Sequence, residues 1–309
     1  MTEQQLAVRK SNPNKPPRVM IYGVEGVGKS TFGARAPKPI FISPEGGTDE
    51  LRSADGSGVD QIPGVATWDD IRTAVKSVLN SKHDYQTLVL DSADWIEKTA
   101  HTKIIGTSGR SIITANGGYG AGYRESEAMH KALLDDISMV RENRNMAVIV
   151  TAHAHVRQVK DPEAIADYDG FEIKCHEFVS SLWREWVDAL LFARFRTFIK
   201  QGENNEKVRA LGDDTRVVYT VKRPAFQAKN RYGLPPEMDF TESFWTNFVT
   251  LAGKAPKDIQ AMKVEMNALW EKLVDQSMKD RVQKAVDEAG DNQEKLLKIY
   301  NGLLTITRK

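Results

Sequence analysis

Residues 23 to 30 read Gly23-Val-Glu-Gly-Val-Gly-Lys-Ser30, a full G-x-x-x-x-G-K-[ST] loop directly after the apolar run Arg18-Val-Met-Ile-Tyr22. A glycine-rich turn wraps phosphate in backbone N–H groups only when a buried strand delivers it and a helix opens where it ends. Strand, turn and helix must therefore follow one another here, and that requirement points to an α/β fold. Gly23, Gly26 and Gly28 allow conformations and close approaches that side chains forbid, and Val24, Glu25 and Val27 complete the loop. Lys29 is expected at the β- and γ-phosphates, Ser30 on a bridging Mg²⁺ and Thr31 at the α-phosphate. The expected ligands are Mg²⁺ and ATP or GTP, with ATP favoured by the resemblance described below.

Downstream, apolar runs alternate with amphipathic segments. Strands are expected near 18–23, 39–43, 87–91, 146–151, 189–196 and 216–222, and helices at 29–36, 67–80, 93–104, 123–143 and 177–187. In the longest of these, Met129, Leu133, Ile137 and Val140 recur at helical spacing. Such alternation predicts a mainly parallel sheet covered by helices on both faces. The glycine-rich stretch 106–122 breaks the pattern and reads as a long flexible loop. Ser11 to Pro17 is polar and proline-rich, so residues 1–16 are expected to form a mobile arm, 17–240 the core and 241–309 a helical extension. Within that extension Met262, Met266, Leu269 and Leu273 form one apolar stripe and Leu296, Ile299, Leu303 and Leu304 another. A cap packed on the core is the simpler reading of these helices, and a separate binding module the other.

Composition narrows the setting. No apolar run reaches the roughly 18 residues of a spanning helix, and the polar N-terminus lacks a signal-peptide core, so a cytoplasmic protein with no membrane partner is expected. The single cysteine, Cys175, has no internal disulfide partner, in keeping with a reducing compartment. A net charge of +1 makes any nucleic-acid contact the work of a local patch.

Further polar residues close other apolar runs. Asp91, with Ser92, ends the run Tyr85-Gln-Thr-Leu-Val-Leu90 and is a candidate for the Mg²⁺ shell. Glu45, after Pro39-Ile-Phe-Ile-Ser-Pro44, reaches the C-terminal edge of a second strand, where ligands collect in open α/β sheets, and is the candidate base for a hydrolytic water. His153 ends Met146-Ala-Val-Ile-Val-Thr-Ala152, and Lys229 and Arg231 alternate across one residue. Each also has an ordinary reading: a strand-ending acid, a solvated loop acid, a satisfied histidine, a basic turn. Zinc at His153, His155, Cys175 and His176 fits no strong ligand spacing.

The order of these segments resembles RecA-type recombinases, and the closest pattern is that of phage-encoded RecA-like core ATPases of the Sak type. Phe41-Ile-Ser-Pro-Glu-Gly-Gly-Thr-Asp49 is similar to the strand-and-glutamate segment, and Thr151-Ala-His153 to the strand whose terminal glutamine senses the γ-phosphate, with His153 in its place. Ala228-Lys-Asn-Arg231 resembles the basic element that reaches a neighbour's ATP, and Gly117-Gly-Tyr-Gly-Ala-Gly-Tyr123 precedes the long helix. The match spans roughly residues 17 to 238. It implies a DNA-stimulated, Mg²⁺-dependent ATPase acting as a homo-oligomeric filament or ring. The resemblance also implies that Glu45 positions the water and that Lys229 and Arg231 act in trans. The partners implied are single-stranded DNA and a single-strand DNA-binding protein, and the setting is the host cytoplasm. Annealing or recombination is the function implied; a helicase-like ring motor subunit and a nucleotide-regulated scaffold are the alternatives. Two DNA-facing loops are implied within 106–122 and 154–176, with Tyr119 and Tyr123 stacking on bases and Arg110, Arg157 and Lys160 on phosphates. The second loop also carries Asp161, Glu163, Asp167, Asp169 and Glu172, which oppose tight binding there.

Overall fold

The computed structural model describes Lys10, Asn12 and residues 15–108, 110–160, 165–200, 209–241, 244, 245, 248, 259–290, 295, 296, 299, 300, 302 and 303. Most of the expected arm, Gly109, Asp161, Glu163, Leu304 and the side chain of Met262 lie outside the described residues.

The five strands expected first all form: β1 (Arg18–Gly23), β2 (Pro39–Ile42), β4 (Thr87–Leu90), β5 (Ala147–Val159) and β7 (Ala189–Lys200), joined by a short β3 (Asp60–Gln61). They run parallel in the order β7-β1-β5-β4-β2-β3. Four more strands, β6 (Tyr168–Ile173), β8 (Arg209–Tyr219), β9 (Lys229–Asn230) and β10 (Glu237–Asp239), are antiparallel additions, with β8 and β10 extending the β7 edge.

The near-continuous apolar character of the central strands follows from burial on both faces. Met20 and Tyr22 of β1, Leu88 and Leu90 of β4, and Val148 and Val150 of β5 enter one core. There they meet α2 (Trp68–Asn80), α3 (Ala93–Ser108), α4 (Ala121–Arg144) and α5 (Glu177–Trp186). Val19, Ile21, Val89 and Ile149 point the other way, against α1 (Lys29–Ala34) and the C-terminal helices α6 (Ile259–Glu271) and α7 (Gln276–Ala289). Met266, Leu273, Leu296 and Leu303 are buried in that second core. Thr67 and Asp70 form a capping box that starts α2, and Asp275 caps α7. No helix among the described residues is long and apolar enough to cross a membrane.

Two expected loops are structured instead. The stretch 154–176 holds a hairpin, because β5 runs past the sheet and its outer half pairs with β6 from Ala154↔Ile173 to Val159↔Tyr168. Its polar and acidic residues hide the two-residue period that an apolar strand displays. The glycine-rich stretch is also folded: α3 continues to Ser108, a 3₁₀ turn occupies Ala115–Gly117, and Ala115 is fully buried. Gly122 belongs there because a Cβ would lie 2.2 Å from the Ile112 carbonyl oxygen. At the sheet edge, β7 and β8 are longer than expected and form one antiparallel ribbon.

Candidate active site

The phosphate loop leaves the centre of the sheet. Gly23 ends β1 between His153 of β5 and Ala193 of β7, and a Cβ on it would lie 2.0 Å from the Ala193 carbonyl oxygen, so only glycine fits. Gly28 takes φ 102° in the left-handed region, which favours glycine, and its carbonyl accepts the first helical bond from the Phe32 N–H at 2.9 Å. Lys29 is buried beneath this turn, with Nζ donating to the carbonyls of Gly23 at 3.2 Å and Val24 at 2.9 Å. Burial lowers its pKa, while Asp91, Asp94, Glu45 and Glu25 oppose that shift.

Facing Lys29 are the acids of the neighbouring strands. Asp91 follows β4, is buried, and accepts the Thr151 hydroxyl from β5. The Asp91–Ser92 peptide is cis. Glu45 follows β2, and its Oε2 accepts the Ser92 hydroxyl at 3.2 Å. Partial burial of this carboxylate raises its pKa; His153 pulls it down, and Asp91 and Asp94 push it up.

Asp94, in the first turn of α3, accepts both the backbone N–H of His153 at 3.0 Å and its ring Nδ1–H at 2.9 Å. The bond to Asp94 raises the His153 pKa. With Nδ1 committed, Nε2 is the ring nitrogen available to the cleft. The signal for Asp94 in the sequence is its place three residues after Asp91, at a helix start. One turn later, Glu97 receives the backbone N–H of His176 on both carboxylate oxygens, at 3.0 and 3.1 Å, and burial pushes its pKa up to about 7. Beside it, burial pushes the Cys175 thiol up.

Gly26, Gly28, Lys29, Ser30, Thr31, Glu45, Asp91 and His153 thus line one cleft of about 330 Å³. A hydroxyl and a carboxylate, from Ser30 and Asp91, form the hard oxygen set that Mg²⁺ takes. The Lys29 ammonium meets loop carbonyls with bonds that phosphate oxygens can replace.

The other expected residues lie elsewhere. Lys229 begins β9 and Arg231 follows it; the strand pairs with the start of β7 at the sheet end opposite the phosphate loop. Lys229 Nζ donates to the carbonyls of Arg184, Glu185 and Val187 at 3.0, 2.9 and 2.7 Å, closing the C-terminus of α5. Arg231 lies 3.3 Å from Asp188 with 56% of its side chain exposed. Tyr123 stacks on His176 at 3.8 Å between ring centroids, so one face of its ring is occupied within the chain. Tyr119 is fully exposed at φ 52°, between Gly118 and Gly120. Arg110, Arg157 and Lys160 are exposed, Arg157 lying 3.6 Å from Glu177.

Over residues 15–232 the sequence matches a family model described as an AAA domain. No curated protein matches it. The matched span starts just before β1 and ends after β9, so every residue of the cleft falls within it. With well over half of its length in that match and a phosphate loop between β1 and α1, the chain belongs to the AAA domain family and is a nucleotide-binding P-loop ATPase.

Proposed function

We propose that this chain hydrolyses Mg²⁺–ATP in the cleft between β1, β2, β4 and β5 and uses the nucleotide cycle to bind single-stranded DNA and promote annealing or strand exchange. The observation that carries the reading is the path of β5. Its inner half, Ala147–Ala152, is buried in the sheet beside the phosphate loop, His153 stands in the cleft, and its outer half forms the hairpin that bears Arg157 and leads to Lys160. One strand therefore joins the γ-phosphate position to a surface with exposed cations.

In this reading Lys29 draws the β- and γ-phosphates onto the loop, and Ser30 and Asp91 hold the metal. A Mg²⁺ held there would supply positive charge against the phosphates. Glu45, oriented by Ser92, accepts a proton from the attacking water, a role suited to a carboxylate whose pKa is raised. His153 is held by Asp94, which favours its protonated form, and in that form Nε2–H donates to a γ-phosphate oxygen. Tyr119 offers a stacking face, and Arg110, Arg157 and Lys160 meet phosphates. Of the basic pair, Arg231 is the one we assign to a neighbouring subunit, supported by its exposure and by the use of Lys229 at the end of α5.

The test is ATP turnover and DNA binding with a non-hydrolysable ATP analogue. Single-stranded DNA should stimulate turnover, and affinity should fall with salt at a log–log slope of about −0.7 per neutralised phosphate. Replacing Arg157 and Lys160 should flatten that slope, while Tyr119→Ala should weaken binding at unchanged slope. Turnover indifferent to DNA, with no DNA bound in either nucleotide state, would overturn the DNA reading and leave the ATPase standing.

A further inference from the structure

A triphosphate lying in this cleft has a direction. Glu45, Asp91 and His153 mark its γ end; Glu45 follows β2, Asp91 follows β4 and His153 lies in β5, all on one side of β1. Thr31 marks its α end. The nucleoside must leave on the other side of β1, where β7, β8 and β10 lie.

On that side a small cavity of about 40 Å³ is walled by Gly28, Thr31, Phe32, Arg216, Phe240 and Trp245. A Cβ built on Gly28 would lie 3.2 Å from Arg216 Nη1 and 3.6 Å from Phe240 Cε1, so the glycine lets both side chains close against the loop backbone. The two residues are tied to each other, since the Phe240 N–H donates to the Arg216 carbonyl at 2.8 Å. Phe240 is braced edge-to-face by Phe244, with centroids 5.4 Å apart, and lies 6.2 Å from Phe32 of α1. The Arg216 guanidinium lies 5.8 Å from the Phe195 ring centroid and remains exposed to solvent. The result is a braced apolar wall beside a planar cation, both at the α end of the phosphate path.

We infer that the nucleoside end of the nucleotide is held by Arg216 and Phe240, with the ribose edge in the cavity and the base across its mouth. This rests on the nucleotide reading above and adds the base-holding residues, which lie on the antiparallel β8 and just after β10 rather than in the parallel sheet. Planar aromatic and guanidinium groups suit a nucleobase, which has a π-face to offer each of them. Of the two, Phe240 lies beyond the residues matched by the AAA domain model. A larger groove of about 370 Å³ between α2 and α3 carries Trp95 with the Lys98 ammonium 4.0 Å from its ring centroid, but it adjoins Pro44, next to Glu45, and so lies at the γ end.

The experiment combines photolabelling with Mg²⁺–8-azido-ATP and calorimetric titration of Mg²⁺–ATP against Mg²⁺–tripolyphosphate, which has the phosphates and no nucleoside. Label should fall on peptides spanning β8 to Trp245. Arg216→Ala should weaken ATP about tenfold, the size of one good stacking contact, and leave tripolyphosphate unchanged. Phe240→Leu, which keeps apolar bulk and loses the ring, should act the same way, and a thermal melt confirms its fold. Label on the α2–α3 groove, unchanged ATP affinity in Arg216→Ala, or equal loss of both ligands would overturn the inference. Failure of the wild-type chain to bind either ligand would instead overturn the nucleotide reading on which it rests.

Discussion

Asp94 grips His153 at two points, taking the backbone N–H at 3.0 Å and the ring Nδ1–H at 2.9 Å, so one helix start fixes both the position and the tautomer of a strand-end histidine. The bond to Asp94 raises the pKa of His153. Burial pushes the Asp94 pKa up, but the hydrogen bonds from His153 outweigh it and leave the carboxylate below its ordinary value. The stability His153 contributes is therefore complete below its ordinary pKa and is lost as pH rises through the raised one. That of Asp94 is present above its ordinary pKa and is lost as pH falls through the lowered one.

Asp94→Asn should free the imidazole. Its pKa, followed by NMR of the ring protons, should fall, and the pH limb of turnover set by His153 should move down with it. Turnover should drop by at least about tenfold, with ATP affinity little changed. An unmoved His153 pKa would show that the pair does not set its charge.

Glu45→Gln should keep ATP binding and reduce single-turnover hydrolysis by at least about a hundredfold, since an amide takes no proton from water. In the wild type the acidic limb of the rate profile should lie above that of an ordinary glutamate, because partial burial raises the Glu45 pKa. That limb should vanish in the variant. Lys29→Ala should differ in kind, losing nucleotide affinity itself in a titration with a fluorescent ATP analogue.

Glu97 sets a pH dependence of stability away from the chemistry. Its pKa of about 7 lies above that of an unfolded glutamate, so the folded state binds the extra proton and stability should fall as pH rises from about 4.5 to 7. The full effect is on the order of 3 kcal/mol. Glu97→Gln keeps an acceptor for the His176 N–H and should flatten that decline in urea unfolding series.

The basic pair should separate by variant. Lys229→Met leaves three carbonyls at the end of α5 without their ammonium, and should cost about 1–3 kcal/mol in denaturant unfolding while ATP affinity holds. Arg231→Ala should bind ATP normally and lose DNA-stimulated turnover. Mixing it with Lys29→Ala should restore activity if the arginine serves a neighbour's cleft. Co-assembly without recovery would remove that role.

The periodic elements were legible wherever one residue's environment repeats along the chain. Leu133, Ile137 and Val140 are buried at the spacing that marked α4, and the core strands alternate between two cores, which makes them apolar throughout. The outer half of β5 was not legible, because its pairing to β6 is a backbone contact between polar segments. Gly122 shows the same limit. It reads as one more flexible glycine, but the structure sets it under the Ile112 carbonyl, where its lack of a side chain serves packing.

By itself the sequence determined the phosphate loop, the strand before it and the layered α/β plan, because backbone conformation, helix initiation and two-sided burial each depend on residues near one another in the chain. Only the tertiary structure decided which distant groups meet. Asp94 and His153 are 59 positions apart, Lys229 and the Arg184 carbonyl 45, and the Tyr123 ring found His176. A polar side chain carries no periodic mark of its partner, so the strand order β7-β1-β5-β4-β2, set by packing of the whole sheet, had to bring His153 to the edge that carries Glu45 and Asp91 before its chemistry could be assigned.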